Sequence, residues 1–378
     1  FMVPFIRADL AAFTAYTPQP GGHGAAAGAI DCLDTNESPL DLPPTVKAAI
    51  AHTYQAQVEA NRYPDGSHAE LKNQVATYVN HSAQLAPNTI APAQISMGNG
   101  SDELIRSVLI ATCLGGAGSI LVAKPTFSMY GILAQTLGIP VRTVGRSPDT
   151  MTIDLAAAQQ ELDNPRDCAV RAIFVVHPNS PTGNALTPAE LDWLRQVPPD
   201  VLVVVDEAYF EFSQTSVVSE LAAHPNWLIL RTFSIAFRLA AHRVGYAIAQ
   251  PEVIAVLEKL RLPYNLPTLS QVAALTALAH QTELLAQIPD ILAERSQLSQ
   301  ALQAQNQLQV WPSAANFLFL SPISETAHLS LTDVFETLQQ QGTRIRHTAG
   351  GLRVTIGTPD ENERTRDRLL NFLSRSSG

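Results

Sequence analysis

Apolar and polar positions alternate in blocks along the middle of the chain, where short apolar runs are separated by longer amphipathic stretches. The runs are rich in β-branched residues and cover 119–123, 140–144, 172–177, 201–205, 228–230 and 244–249. Strands that are apolar at successive positions are typical of a sheet covered on both faces. The alternation of strands with helices therefore predicts a three-layer α/β/α fold with a mostly parallel sheet.

A second pattern begins near residue 266 and predicts a smaller α+β domain. A long helical stretch covers 270–304, and it is followed by a strand at 316–320, a helix near 331–341 and a strand at 352–356. The first forty residues are punctuated by glycine and proline, which indicates an extended arm. We predict an arm over 1–44 that joins the small domain, a large domain over 45–265 and a small domain over 266–378.

Composition narrows the classes of function. The formal net charge is −10 and the pI is about 5.4, which argues against a nucleic-acid or anionic-membrane partner. No apolar run is long enough to span a bilayer, and we expect no signal peptide. The three cysteines, Cys32, Cys113 and Cys168, are widely spaced and form no metal-type pair. We therefore expect a cytoplasmic protein with reduced thiols and no metal site.

Polar residues follow two of the predicted strands. Asp206 comes directly after the run at 201–205, with Tyr209 three residues later. Asn179 and Ser180 lie in the proline-rich turn after 172–177. Ligands of an open α/β sheet bind beyond the carboxyl ends of its strands, so these side chains are candidates for a binding site. A helix cap or loop aspartate, and a generic turn, are the alternative interpretations when each stretch is taken alone.

A glycine-rich segment and a pair of aromatic residues add two further candidates. Gly98 and Gly100 precede a helix that opens at 101–103, and free N–H groups at such a helix start can bind a phosphate. A simple capped helix is the alternative. Phe127 and Tyr130 follow the strand at 119–123, and either ring could stack on a flat ligand or belong to the core.

The order and spacing of these signals resemble a known family. The stretches "LDTNESPLDLP", "NRYPDGSHAEL", "GNGSDELI", "PTFSMYG", "HPNSPTG", "DEAYFEF", "RTFSIAFRLAAHRVGY", "LPYNLP" and "LRVTIGTPDEN" cover nearly the whole chain. Together they resemble the fold-type I aminotransferases that use pyridoxal 5'-phosphate, and most closely the histidinol-phosphate aminotransferase branch. The resemblance implies a homodimer that transfers an amino group between L-histidinol phosphate and 2-oxoglutarate in histidine biosynthesis.

The same resemblance implies roles for individual residues toward the cofactor ring. Asp206 would keep the pyridine nitrogen protonated, Tyr209 would bind the phenolic oxygen, and Tyr130 would stack on the ring. Asn179 and Ser180 would lie beside the ring, with Ser180 where the family usually has asparagine.

The implied phosphate and substrate sites draw on separate segments. The cofactor phosphate would be held by Gly100, Ser101, Asp102, Thr232, Ser234 and Arg243, and by Tyr63 from the partner subunit. The substrate would contact Asn36, Arg346 and Arg353, with Arg353 binding its anionic end.

One position departs sharply from the family pattern. Arg243 fixes the register, and Ile235 occupies the position of the lysine that forms the Schiff base with the cofactor and then moves a proton. Isoleucine can do neither. Three explanations stay open. In the first, the natural residue is lysine, and the isoleucine arises from engineering or an error. In the second, the protein binds the cofactor without catalysis. In the third, the fold serves a sister reaction on aromatic or phosphorylated amino acids.

Overall fold

The computed structural model describes residues 5–11, 13, 30–305, 307–323 and 330–375. Its helices are α1 Ala8–Ala11, α2 Pro44–Gln57, α3 Ala69–Ser82, α4 Ser101–Thr112, α5 Met129–Thr136, α6 Leu155–Asp163, α7 Pro188–Arg195, α8 Phe210–Ser213, α9 Pro251–Leu260, α10 Thr268–Ala279, α11 Gln281–Leu285, α12 Ile288–Gln303, α13 Leu331–Gln340 and α14 Pro359–Arg375. Its strands are β1 Asp31–Cys32, β2 Ile95–Asn99, β3 Ser119–Ala123, β4 Val141–Val144, β5 Val170–Val176, β6 Leu202–Asp206, β7 Trp227–Thr232, β8 Val244–Ala249, β9 Leu308–Val310, β10 Phe317–Pro322, β11 Thr343–Arg344, β12 Arg346–Thr348 and β13 Gly351–Thr355.

The central sheet confirms the predicted α/β class. Seven strands lie in the order β2-β8-β7-β6-β5-β3-β4, and only β8 runs antiparallel to its neighbours. Successive residues of β6 enter opposite cores, because Val204 packs with α4, α5 and α9 while Val203 and Val205 pack with α2, α3 and α10. Helices on both faces explain why the strand sequences are apolar at every position.

A second, antiparallel sheet forms the smaller part of the fold, in the order β12-β13-β10-β9. β1 pairs in parallel with β11, so residues 31–32 join this part, and 21 of the 44 residues of the predicted arm lie outside the described residues. The predicted domain boundaries stay a prediction. Because α10 packs against α2 and α3, we propose that the small domain begins after this helix.

Two elements differ from the sequence expectations. The helix expected over 270–304 is three helices, α10 to α12, and α12 carries Pro289 in its first turn, where proline is tolerated. The predicted strands did not include 95–99, but β2 pairs antiparallel with β8 at the sheet edge. Glycine and asparagine are poor strand formers, and the pairing partner across the sheet overrides the local preference of Gly98 and Asn99. No helix in the described ranges is long and apolar enough to cross a membrane.

Candidate active site

The start of α4 forms a cup with residues that follow β7. The Arg243 guanidinium donates to the Ser234 hydroxyl at 3.3 Å and to the Asp102 carboxylate at 3.3 Å. The Thr232 hydroxyl lies 2.9 Å from that of Ser234 and accepts the Ser234 amide at 3.0 Å. A cationic fork, two hydroxyls and a helix N-terminus therefore meet at one point, which suits a phosphate group.

Gly100 makes this cup possible. It has φ of +74°, and a Cβ atom there would lie 2.4 Å from Nη2 of Arg243. Its amide also donates to the Arg243 carbonyl at 2.8 Å. Only glycine fits this left-handed, crowded position, so the sequence signal at residues 98–103 reflects a close approach of backbone to the arginine.

Asp206 ends β6 in a fully enclosed position. Its carboxylate accepts the Tyr130 hydroxyl at 2.8 Å and the Ala208 amide at 3.1 Å. Burial raises the pKa of Asp206 to about 6, and the hydrogen bond from Tyr130 opposes that rise. A desolvated carboxylate of this kind favours a cationic or N–H partner over water.

Tyr130 lies behind the cavity, and its expected stacking on the cofactor ring stays a prediction. Its ring is completely buried, stacks on Phe174 at a centroid distance of 4.8 Å, and lies edge-on to Phe127. The hydroxyl is committed to Asp206. Phe127, the other aromatic candidate, lines the open cavity instead. Phe127 lies in the loop before α5, whereas Tyr130 lies in the first turn of the helix, so the two rings face different surroundings.

Tyr209 and Asn36 are joined although they lie far apart in the chain. The Asn36 amide donates to the Tyr209 hydroxyl at 2.8 Å, and Oδ1 of Asn36 accepts the Thr355 hydroxyl at 3.0 Å. The Asn36 carbonyl accepts the Asn316 amide at 3.0 Å. These bonds fix the arm segment between the two sheets. No local sequence signal points to Thr355 or Asn316.

Arg353 and Arg346 face one cavity. They lie directly opposite each other across the β12–β13 pair, which explains their short spacing in the sequence. Both line a cavity of about 170 Å³ together with Ser180, Tyr209 and Phe127. Arg353 donates to the Ser180 hydroxyl at 3.2 Å. Two like charges placed side by side repel each other, so the arrangement favours an anionic ligand.

Asn179 links two loops beside the cavity. Its amide donates to the Pro125 carbonyl and the Thr182 hydroxyl, and its oxygen accepts from Arg146 at 3.1 Å. Its neighbour Ser180 lines the cavity, and a contact of Asn179 with the cofactor stays a prediction. Arg146 was not predicted from the sequence, because an isolated arginine in a loop carries no distinguishing signal.

Ile235 is half-buried between the cup and the core, and its side chain packs against the apolar cluster of α4, α5 and α9. Of the four lysines, Lys47 pairs with Asp41 and Lys72 with Glu258. Lys124 is exposed and lines a neighbouring cavity, which shares Thr126, Phe127 and Ser128 with the cavity of the two arginines. No lysine lines the cavity that holds Arg353, so no amine replaces the one absent at position 235.

Tyr63 lies at the surface. Its side chain is 81% exposed and stacks on Tyr264 at a centroid distance of 4.6 Å. The contact of Tyr63 with a second subunit stays a prediction.

Comparison with known proteins gives a consistent result over the full chain. A model of the family "aminotransferase class I and II" matches residues 32–369. "Histidinol-phosphate aminotransferase 2" of Nostoc sp. strain PCC 7120 is 56% identical over 377 residues, which are 98% of each chain. The histidinol-phosphate aminotransferase of Gloeobacter violaceus is 46% identical, with 96% of each chain covered.

Solved structures agree with the fold. The histidinol-phosphate aminotransferase of Sinorhizobium meliloti, in complex with pyridoxal-5'-phosphate, has a TM-score of 0.78 at 22% identity and covers 93% of this chain and 92% of its own. The enzyme of that name from Clostridium acetobutylicum also has a TM-score of 0.78, at 20% identity, over 92% of this chain and 100% of its own.

Proposed function

This chain belongs to the class I and II aminotransferases, and within them to the histidinol-phosphate aminotransferases, and from that premise we propose that its site is built to transfer an amino group between L-histidinol phosphate and 2-oxoglutarate in histidine biosynthesis. The observation that carries the proposal is that two arginines, Arg346 and Arg353, line one cavity together with Ser180 and Tyr209. The family uses pyridoxal phosphate, and the donor set of this chain fits that group.

The fit rests on two separate regions. The cup offers the Ser234 hydroxyl, the Arg243 guanidinium and the N–H groups at the start of α4, which are the donors that a phosphate requires. Asp206 offers a buried carboxylate where a ring N–H could be satisfied. When bound, pyridoxal phosphate supplies an electron-withdrawing ring that stabilises negative charge on the substrate carbon.

The residues of this chain would position and polarise that group. Asp206 would hold a proton at the ring nitrogen. The positive charge on that nitrogen would lower the pKa of the Asp206 carboxyl toward its ordinary value, so that the carboxyl is ionised. Tyr209, oriented by Asn36, would donate or accept at the phenolic oxygen. Phe127 would contact the ring from the cavity side.

Arg353 and Arg346 would bind the substrate's anionic end. Glutamate and 2-oxoglutarate end in a carboxylate and histidinol phosphate ends in a phosphate, and a guanidinium fork can bind either. A single pair of arginines therefore supports both halves of the reaction.

Ile235 limits what the chain can do. Its hydrocarbon side chain has no nitrogen with which to bond the cofactor and no group that can carry a proton. Loss of a general base lowers rates by about 10²–10⁴-fold. We propose that the chain with Ile235 binds the cofactor without a covalent bond and transaminates near the background rate. A cofactor-binding protein without turnover is the second candidate, and Ile235 is the observation that favours it.

We also propose a homodimer located in the cytoplasm. The exposed, stacked pair of Tyr63 and Tyr264 supports a contact with a second copy, because large aromatic surfaces are rarely left in water. The three cysteines are free in the structure, which agrees with a reducing compartment.

Mass spectrometry of the peptide 232–238, with and without borohydride reduction, tests the state of position 235 directly. An unmodified TFSIAFR peptide supports a non-covalent binder, and a lysine with a reduced pyridoxyl group at that position would refute it. Substrate profiling of the Ile235→Lys variant tests the reaction itself. Preference for L-histidinol phosphate over L-phenylalanine and O-phospho-L-threonine is the expected result.

A further inference from the structure

Two buried carboxylates lie three residues apart beside β1, and their surroundings differ. Asp31 is bonded by Arg364 at 2.6 Å and by Arg368 at 2.9 Å. Asp34 is equally buried, at 2% exposure, but its ion-pair distance to Nε of Arg344 is 3.9 Å, which is too long for a hydrogen bond. Oδ2 of Asp34 has no hydrogen-bond partner among the described residues.

An acceptor left in this state is costly to the fold. Taking a carboxylate out of water without hydrogen bonds costs several kcal/mol, and buried polar atoms are normally paired. Burial raises the pKa of Asp34, and the nearby Glu37 adds to the rise while Arg344 and Arg346 oppose it. The fold therefore maintains an acceptor that it does not itself satisfy.

The location of Asp34 indicates what would satisfy it. Asp34 lines the cavity that holds Arg346 and Arg353. Its backbone is fixed at that wall, because its carbonyl accepts from Nη2 of Arg353 at 2.7 Å. Oδ2 of Asp34 is closed off from solvent in this structure, so a ligand anchored to the arginines by its anionic end would reach this acceptor through a small shift of the cavity wall.

We propose that the Asp34 carboxylate accepts a hydrogen bond from a ring N–H of the substrate, and so selects a phosphorylated amine with an N–H heteroaromatic ring over one with a hydrocarbon ring. The inference rests on the proposed function and assigns it a specificity residue. Imidazole carries an N–H in both its neutral and its protonated form, so the selection does not require a particular charge state. A hydrocarbon ring would leave the acceptor buried and unsatisfied.

Calorimetric titration can measure this selection without turnover. The protein is saturated with pyridoxamine 5'-phosphate, and L-histidinol phosphate or L-phenylalaninol phosphate is then added. All three compounds are amines, so they do not condense with one another. We expect L-histidinol phosphate to bind at least about 10-fold more tightly, which is the effect of one hydrogen bond to a charged group.

Variants of Asp34 separate this role from a structural one. Asp34→Leu should weaken L-histidinol phosphate about 10-fold or more and leave L-phenylalaninol phosphate unchanged or tighter. Asp34→Asn should keep part of the preference, because its amide oxygen still accepts a hydrogen bond. Arg346→Gln serves as the matched control and should weaken both ligands equally.

The outcomes separate the role of Asp34 from the proposed aminotransferase function. Equal affinity of the unaltered protein for the two phosphorylated amines would overturn the role of Asp34 and leave the proposed function intact, even if no variant folds. Equal weakening of both ligands in Asp34→Leu would do the same. Failure of both ligands to bind the unaltered protein would overturn the proposed function and the role of Asp34 together.

Discussion

The Tyr130 hydroxyl donates a 2.8 Å hydrogen bond to Oδ2 of Asp206, at the carboxyl end of the central strand β6. The bond joins a core aromatic residue to the most chemically important carboxylate of the site. With its hydroxyl held at Asp206, the Tyr130 ring stacks on Phe174 in the core, and Phe127 is the aromatic residue of this segment that lines the cavity.

Asp206→Asn should stabilise the cofactor-free protein near neutral pH. The native pKa of about 6 lies above the ordinary 3.8, so the folded state binds more protons between these values and loses stability as pH rises through them. An asparagine cannot ionise, and the Tyr130 hydroxyl can accept from its amide. We expect the variant to match the unaltered protein near pH 4 and to exceed it by about 1–3 kcal/mol at pH 7.5.

Denaturant unfolding at several pH values checks this prediction. Asp200→Asn is the control, because its side chain is 68% exposed, and it should show no such pH dependence. A stability difference for Asp206→Asn that stays constant from pH 4 to 7.5 would contradict the assignment.

Gly100→Ala should weaken binding of pyridoxal phosphate about 10-fold, because the new Cβ atom would displace the Arg243 guanidinium. Gly115→Ala is a control for placing alanine at a positive φ without a steric clash. Gly115 has φ of +75° and ψ of 21° with no atom within 4 Å of its Cβ position, whereas Gly100 has φ of +74° and ψ of 168°. Fluorescence titration gives both dissociation constants, and equal effects of the two substitutions would exclude the cup as the phosphate site.

Ile235→Lys should create covalent attachment of the cofactor. We expect a borohydride-stable pyridoxyl group on the peptide 232–238 and a rise of about 10²–10⁴ in the rate of the half-reaction with L-histidinol phosphate. Ile235→Met has a similar length and no amine, and should show neither effect. Equal rates for the lysine and methionine variants would mean that position 235 does not face the cofactor.

Arg146→Met should loosen the loops that carry Phe127 and Ser180. Burial lowers the pKa of Arg146 to about 10, and its guanidinium bonds to the carbonyls of Ala123, Pro125 and Met151 and to the side chain of Asn179. Loss of these charge-assisted bonds should cost about 2–3 kcal/mol.

Hydrogen exchange locates that effect. Amides of 124–127 and 178–184 should exchange faster in Arg146→Met, while those of β8 should not change. Arg171→Met removes an arginine that is 38% exposed in its side chain and pairs with Asp200, and it should leave both loops protected. Unaltered protection of the two loops in Arg146→Met would show that other contacts hold them.

Local signals in the sequence were sufficient for much of the fold. The apolar run at 244–249 coincides with β8, and Thr187 and Glu190 form a capping box at the start of α7, a pattern that is visible in the sequence. Both features depend only on residues close together in the chain. A strand buried on both faces is apolar at successive positions, and a capping box joins residues three positions apart. The phosphate cup at Gly100 was also a candidate from the sequence, because glycines that directly precede a helix start are typical of such sites.

Partners from distant segments were decided only by the tertiary structure. Asn36 meets Tyr209 and Thr355 across 173 and 319 residues, and β2 is a strand because β8 lies beside it. The sequence by itself determined which chemistry is available in this protein and that a lysine is missing at position 235. Which side chains are satisfied, such as Asp31, and which lack a hydrogen-bond partner among the described residues, such as Oδ2 of Asp34, depends on three-dimensional contacts that no local pattern encodes.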